Sequence, residues 1–156
     1  MSYRVGIGVD AHAFADGVPL ILAGVRFDSP HGLAGHSDGD VITHALIDAV
    51  LGAAGLGDIG SLFPSDGSTP EGISSLELLR DALRQVHDAG YDVVNADCVL
   101  VGEEPRIAAR RQEMVHTLED VLGAPVAVRA TTTDKLGFTG RGEGLAAQAV
   151  ALVQSR

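Results

Sequence analysis

The chain has 156 residues, 46% of them apolar, and carries 21 acidic against 11 basic side chains for a net charge of -10. That length suits one domain burying about 70% of the surface its unfolded form exposes, and the acidity excludes general nucleic-acid binding, because phosphate backbones are held by clustered Lys and Arg. No apolar run approaches the ~20 residues of a membrane span, the start shows no basic-then-apolar pattern, and Cys98 has no second cysteine to pair with, so the expectation is a cytoplasmic protein that engages no membrane.

Arg4 to Asp10 alternates as a strand and delivers Asp10-Ala11-His12, where residues i and i+2 face one side so that carboxylate and imidazole converge. Leu20 to Phe27 reads as a second strand, and Ser29-Pro30-His31-Gly32 as a turn with His31 a polar loop residue. A helix is predicted from near Asp38, with Val41, Ala45, Leu46, Ala49 and Val50 as its apolar stripe and Ser37 or, preferably, Asp38 as its N-cap. Asp40, His44 and Asp48 recur at i, i+4 and i+8 and stack on another face. No Lys or Arg occurs between Arg26 and Arg80, which is odd for a solvated face and apt for one that holds a cation. Asp10, His12 and His44 together make two imidazoles and a carboxylate, a set suited to zinc that leaves a fourth position for catalysis. His36 precedes the helix near its N-terminal dipole, where it can help a phosphate or a developing oxyanion.

Gly55 to Gly67 is glycine-rich with spaced acids, either a C-cap and long loop or a mobile flap with Asp58 facing a ligand. Ser74-Ser75-Leu76-Glu77 resembles a capping box opening a helix with Leu78, Leu79, Ala82, Leu83 and Val86 inside, His87 near its end and Gly90 as its stop. Tyr91 to Val101 is a long strand. Pro105 is expected to start the next helix, which runs to about Leu122, buries Ile107, Met114, Val115, Leu118 and Val121, leaves His116 on the surface and stops at Gly123. Val126 to Ala130 is the last clear strand. Thr131 to Gly144 combines four hydroxyls, two carboxylates, two cations and four glycines, which suits a backbone approaching a phosphate or metal-phosphate group. Leu145 to Val153 reads as a closing helix rich in Ala and Val. The alternation of strands and helices predicts an α/β (α+β) sandwich of one mixed β-sheet covered by a helical layer, in a single domain spanning 1-156.

Four ordered motifs carry a resemblance: Gly-x-Asp-x-His-x-Phe from Gly8, His-Ser-Asp-Gly-Asp-Val-x-x-His-Ala-Leu-x-Asp-Ala from His36, Gly-Asp-Ile-Gly-x-Leu-Phe-Pro from Gly57, and Ala-Thr-Thr-Thr-x-Lys-Leu-Gly-Phe-Thr-Gly-Arg-Gly-Glu-Gly from Ala130. Together they cover essentially the whole chain, which resembles the 2-C-methyl-D-erythritol 2,4-cyclodiphosphate synthases of the non-mevalonate isoprenoid pathway. The resemblance implies cyclisation of 4-diphosphocytidyl-2-C-methyl-D-erythritol 2-phosphate with release of CMP, the substrate's 2-phosphate attacking its β-phosphate with help from a metal.

By that resemblance Asp10, His12 and His44 are the zinc ligands and also touch substrate, and His36 and Thr132 stabilise the transition state. Asp134, where the family usually has Glu, matches the catalytic position holding a second ion, Mg2+ or Mn2+, between the substrate's phosphates. Asp58 and Gly60 match contacts to the erythritol phosphate, Ser37, Asp66, Phe138 and Arg141 match further substrate contacts, and Ser65 stands where an acid is common. Gly102, Pro105, Arg106, Ile107 and Ala108 correspond to the cytidine and diphosphate pocket together with Thr131, Thr132 and Thr133, with Arg106 replacing the usual Lys. Asp40, Asp48 and Lys135 support the site. The family is a homotrimer with active sites between subunits, and Phe138, Arg141 and Glu143 match a central cavity that can take an isoprenoid diphosphate. Two other functions fit the same residues, a zinc phosphohydrolase and a non-catalytic nucleotide- or isoprenoid-binding trimer.

Overall fold

The computed structural model describes residues Met1–Arg156. Strands β1 (Tyr3–Asp16), β4 (His31–Leu33), β5 (Tyr91–Val101), β6 (Val126–Thr131) and β7 (Gly144–Ser155) form a five-stranded sheet in the order β4-β1-β7-β5-β6. Only β5 and β6 run parallel, so the sheet is mixed. Helices α1 (Val41–Ala54), α3 (Ser75–Asp88) and α4 (Arg111–Leu122) cover one face, the short α2 (Ile59–Leu62) and α5 (Gly137–Gly140) sit in the loops, and β2 (Leu20–Leu22) pairs with β3 (Val25–Phe27) as a small hairpin. The expected sandwich of one mixed sheet and one helical layer is what forms.

The sheet's helix-facing side is lined by very small residues. Gly6 and Gly8 on β1 lie so close to α1 that an added Cβ would stand 2.0 Å from the Ala49 carbonyl oxygen and 1.8 Å from that of Ala45. This bare track lets α1 settle directly on β1, so twelve of its fourteen residues are buried rather than the single stripe expected from periodicity. The consequence is positional: a helix pressed onto β1 by Gly6 and Gly8 presents its first turn, with His44, to the next helix-facing residues of β1, Asp10 and His12.

Several boundaries differ from the sequence reading, each for a physical reason. The first helix begins at Val41 and its N-cap is Asp40, not Asp38 or Ser37, because Gly39 takes a left-handed φ of 74° and Asp38 uses its carboxylate elsewhere. Leu20 to Phe27 is a hairpin, turned at Ala23 and Gly24 with φ of 53° and 75°. The buried Asp40 carboxylate accepts from both turn amides, at 2.9 and 2.7 Å, and from Thr43 N and Oγ1 at 3.1 and 2.7 Å. Asp40 therefore ties a tight turn to a helix start and does not share the His44 face. Ser74 caps α3 without a side-chain bond; the capping box that does form belongs to Asp58 and Ser61 at α2. Pro105 does not open a helix: it follows a cis peptide, and α4 starts at Arg111.

The largest correction is Leu145 to Val153, which is strand β7 in the middle of the sheet and not a helix. Alanine's helix propensity is a weak local preference, overridden here by position. Leu145, Ala147, Ala149, Ala151 and Val153 all face the helices and are buried, and a strand beneath a closely seated helix needs small side chains there. The opposite face stays uncovered, with Val5, Ile7 and Val9 each 59 to 68% exposed along β1 and Val150 beside Ile7 on β7.

Candidate active site

Asp10 and His12 project from alternate positions of β1 toward α1, where His44 meets them one turn into the helix. Asp10 Oδ2 lies 2.7 Å from His12 Nε2 and 3.1 Å from His44 Nδ1, and the two ring nitrogens are 3.1 Å apart. The far side of each ring is committed. His12 Nδ1 donates to the Ala34 carbonyl at 2.6 Å, and His44 Nε2 lies 2.9 Å from both Ser37 Oγ and Ser75 Oγ. With those nitrogens occupied, His12 Nε2, His44 Nδ1 and one Asp10 oxygen aim their lone pairs at a single point, all within 4.8 Å of one another. Two imidazoles and a carboxylate so arranged fit a divalent cation such as zinc, and three protein donors leave a coordination position for a substrate oxygen. That donor set is the sequence-predicted one.

The electrostatics agree. Burial alone would raise the Asp10 carboxyl, but hydrogen bonds and charge from His12 and His44 outweigh it and hold the group at about 2. Burial alone would lower His12, yet the Asp10 carboxylate and the Ala34 carbonyl raise it. Both shifts express the same preference for positive charge between carboxylate and rings.

Around this point lies a pocket of about 190 Å3, lined by the triad with His36, Ser37, Ile59, Gly60, Phe63, Ser65, Thr69 and Leu78. His36 Nε2 donates to the Thr69 carbonyl at 2.5 Å, leaving Nδ1 as the ring atom able to meet a ligand. Asp58 is exposed as the α2 cap. Asp48 is turned to the Ile59 amide at 2.8 Å, and burial, followed by the charges of Asp58 and Asp10, raises its pKa. Asp66 is exposed and accepts from Ser68 N at 2.8 Å, outside the residues lining the pocket.

The other predicted residues lie apart. Asp10 pairs with Ala147, Ala147 with Leu100, and Leu100 with Ala130, so Thr131 to Asp134 begin three strand spacings away, about 14 Å across the sheet. Thr131, Thr132 and Asp134 are exposed. Asp134 and Lys135 have φ of 52° and 67°, a left-handed pair that is costly for residues with side chains, and Asp134 Oδ1 accepts from Thr132 Oγ1 at 3.3 Å. Arg106 and Ala108 are exposed while Ile107 is buried in the core. Pro105, Lys135 and Arg141 line a separate cavity of about 480 Å3 with Phe14, His31 and Glu103. No residue after Leu78 lines the triad's pocket.

Sequence reasoning missed Ser75, Thr69, Phe63 and the Ala34 carbonyl. The first was read as part of a capping box, and a backbone carbonyl carries no signal in residue identity.

Comparison with known proteins gives a consistent picture. Residues 3–154 match the YgbB family model. A protein named 2-C-methyl-D-erythritol 2,4-cyclodiphosphate synthase from Rubrobacter xylanophilus is 52% identical, over 97% of this chain and 95% of its own. The bifunctional IspDF from Campylobacter jejuni superposes with a TM-score of 0.95 at 39% identity, over 99% of this chain and 43% of the longer one. A solved 2C-methyl-D-erythritol-2,4-cyclodiphosphate synthase in a CDP-bound form superposes with a TM-score of 0.87 at 37% identity, over 97% of this chain and all of its own.

Proposed function

This chain belongs to the YgbB family, the 2-C-methyl-D-erythritol 2,4-cyclodiphosphate synthases of isoprenoid biosynthesis, and from that premise we propose that it closes the diphosphate ring at a zinc site completed by a second subunit. The observation that carries this reading is the convergence of Asp10 Oδ2, His12 Nε2 and His44 Nδ1 within 3.1 Å, each ring pinned on its other nitrogen. The substrate is 4-diphosphocytidyl-2-C-methyl-D-erythritol 2-phosphate, in keeping with the CDP held by a solved relative. An oxygen of its 2-phosphate forms a bond to the β-phosphorus, the bond from that phosphorus to the oxygen bridging it to the α-phosphorus breaks, and CMP departs with the bridging oxygen.

Zinc supplies Lewis acidity toward the β-phosphate when bound. The chain's own residues orient and discharge the rest. His36, whose Nε2 donates to the Thr69 carbonyl, offers Nδ1 to stabilise the negative charge developing on the phosphoryl oxygens. Ser37, Asp58, Gly60 and Asp66 hold the erythritol phosphate. The nucleotide half of the site consists of Gly102, Pro105, Arg106, Ile107 and Ala108 with Thr131, Thr132 and Thr133. Asp134 would hold Mg2+ or Mn2+, which would supply positive charge to the phosphates, with Lys135 beside it. Since the two halves lie about 14 Å apart on one sheet, each metal half works with the nucleotide half of a neighbour.

A homotrimer supports this arrangement. The uncovered sheet face with Val5, Ile7, Val9 and Val150 is a contiguous apolar patch of the kind that marks an interface. Phe138, 43% exposed, and the Arg141–Glu143 ion pair line the proposed central cavity, which suits an isoprenoid diphosphate. No helix is long and apolar enough to cross a membrane, and the free thiol of Cys98 is in keeping with work in the cytoplasm.

Phosphorus NMR of the purified protein with substrate, zinc and magnesium tests the reading against an Asp10→Ala variant. The expected result is cyclic diphosphate and CMP from the parent protein alone. A linear phosphate product would make it a hydrolase, and undiminished turnover by the variant would remove the metal from the mechanism.

A further inference from the structure

We propose that Ser75 and Asp38 are positioning residues that fix which nitrogen of His44 carries the proton, and so present Nδ1 bare to the metal; this rests on the zinc reading above. The argument follows the direction of each hydrogen bond. The Ser75 hydroxyl is fully buried and donates to Asp38 Oδ1, while its backbone amide donates to Asp38 Oδ2 at 3.1 Å. The carboxylate can only accept. The Ser75 proton is thereby committed, and toward His44 Nε2, 2.9 Å away, Ser75 Oγ can only accept. His44 must then carry a proton on Nε2, so that Nδ1, which faces Asp10 and His12, is the ring atom whose lone pair a metal can take. A histidine ligand oriented through a carboxylate is the arrangement that sets tautomer and ring direction at metal centres; here a serine hydroxyl is interposed.

Ser37 makes the relay necessary. Its Oγ also lies 2.9 Å from His44 Nε2, but no carboxylate claims its hydroxyl proton, and its recorded partner is the Gly39 amide, which donates to it at 3.3 Å. Ser37 is free to donate to Nε2, and would then stabilise the opposite tautomer with the proton on Nδ1, where the metal must bind. The two serines therefore compete for His44, and the charge of Asp38 behind Ser75 decides the outcome. Asp38 itself is anchored by Ile73, whose carbonyl accepts from its amide at 3.1 Å, and by Asp40 N, which donates to Oδ1 at 3.1 Å. The loop before α1, the start of α3 and the metal ligand are thus joined through a single carboxylate.

The test measures zinc affinity by chelator competition, and the His44 tautomer by nitrogen-15 NMR of the zinc-free protein. In the parent protein His44 is expected to carry a proton on Nε2. Ser75→Ala should weaken zinc about 10- to 100-fold and move His44 toward Nδ1–H, whereas Ser37→Ala should leave zinc affinity within about threefold. Adding Ser37→Ala to Ser75→Ala should restore part of the loss, which damage to packing alone would not do. If Ser75→Ala does not fold, Asp38→Asn removes the charge behind the hydroxyl and should weaken zinc in the same direction, about tenfold. Unaltered affinity in Ser75→Ala or Asp38→Asn, or a parent His44 without a proton on Nε2, overturns the relay. Failure of the parent protein to bind zinc more tightly than Asp10→Ala overturns instead the metal reading beneath it, and the tautomer measurement still judges the relay.

Discussion

The cluster at Asp10, His12 and His44 is built by one chain down to its hydrogen-bond directions, whereas the loop from Thr131 to Glu143 presents the hydroxyls of Thr131 and Thr132 and its charges to solvent. In the first, a strand, a helix and two loops constrain every donor atom. In the second, Asp134 and Lys135 hold left-handed backbone with only Thr132 bound to the carboxylate. The difference teaches that preorganisation within a chain and exposure at its edge can belong to one active site. A metal centre needs donors fixed before binding, while on the proposed reading a nucleotide half completed by a neighbour stays open until assembly.

The contrast yields predictions of decreasing size. His44→Ala removes a metal ligand and should lower turnover by about 1,000-fold, the scale of losing several kcal/mol of Lewis-acid stabilisation; zinc stoichiometry and single-turnover rates check it, and CDP affinity should persist. Gly8→Ala drives a Cβ to 1.8 Å from the Ala45 carbonyl oxygen. Overpacking of that kind costs about 3 kcal/mol, which corresponds to a melting temperature about 6 to 12 °C lower, and by lifting α1 it should release zinc while sparing the nucleotide half. Arg106→Ala reverses that pattern, raising KM about tenfold through one lost charge-assisted contact with zinc affinity unmoved.

The smallest effect is a null one. Burial pushes the Cys98 thiol up to about 12, with Asp97 and Asp40 adding to it, so at pH 8.5 it stays protonated in the fold although a free thiol would be about half ionised. Thiol labelling should therefore be negligible in the parent protein. Since Cys98, Ala149 and Gly8 stand in one row across the sheet, labelling should increase in Gly8→Ala if α1 has lifted.

How far the sequence could be read depended on where each signal resides. Asp10 and His12 were legible because strand alternation alone puts them on one side, and His44 because a helix without cations is unusual on a solvated surface. Asp40 misled because i, i+4 spacing says nothing about a cap that turns toward the Ala23–Gly24 hairpin. Leu145 to Val153 misled because alanine on both faces hides a period of two, and only the demand of α1 for small neighbours makes it a strand. The separation of Asp10 from Thr131 to Asp134 was hidden for a different reason: sheet order β1-β7-β5-β6 is a tertiary fact that spacing along the chain does not encode.

The most direct test of the proposed shared site is co-expression of His44→Ala with Thr132→Ala, each expected to be nearly inactive alone, the second by about 100-fold through loss of the transition-state donor proposed there. If every site joins the metal half of one subunit to the nucleotide half of the next, random trimers regain about a quarter of the parent turnover. A mixture no more active than its components would contradict the account, and would place both halves of the site in a single chain.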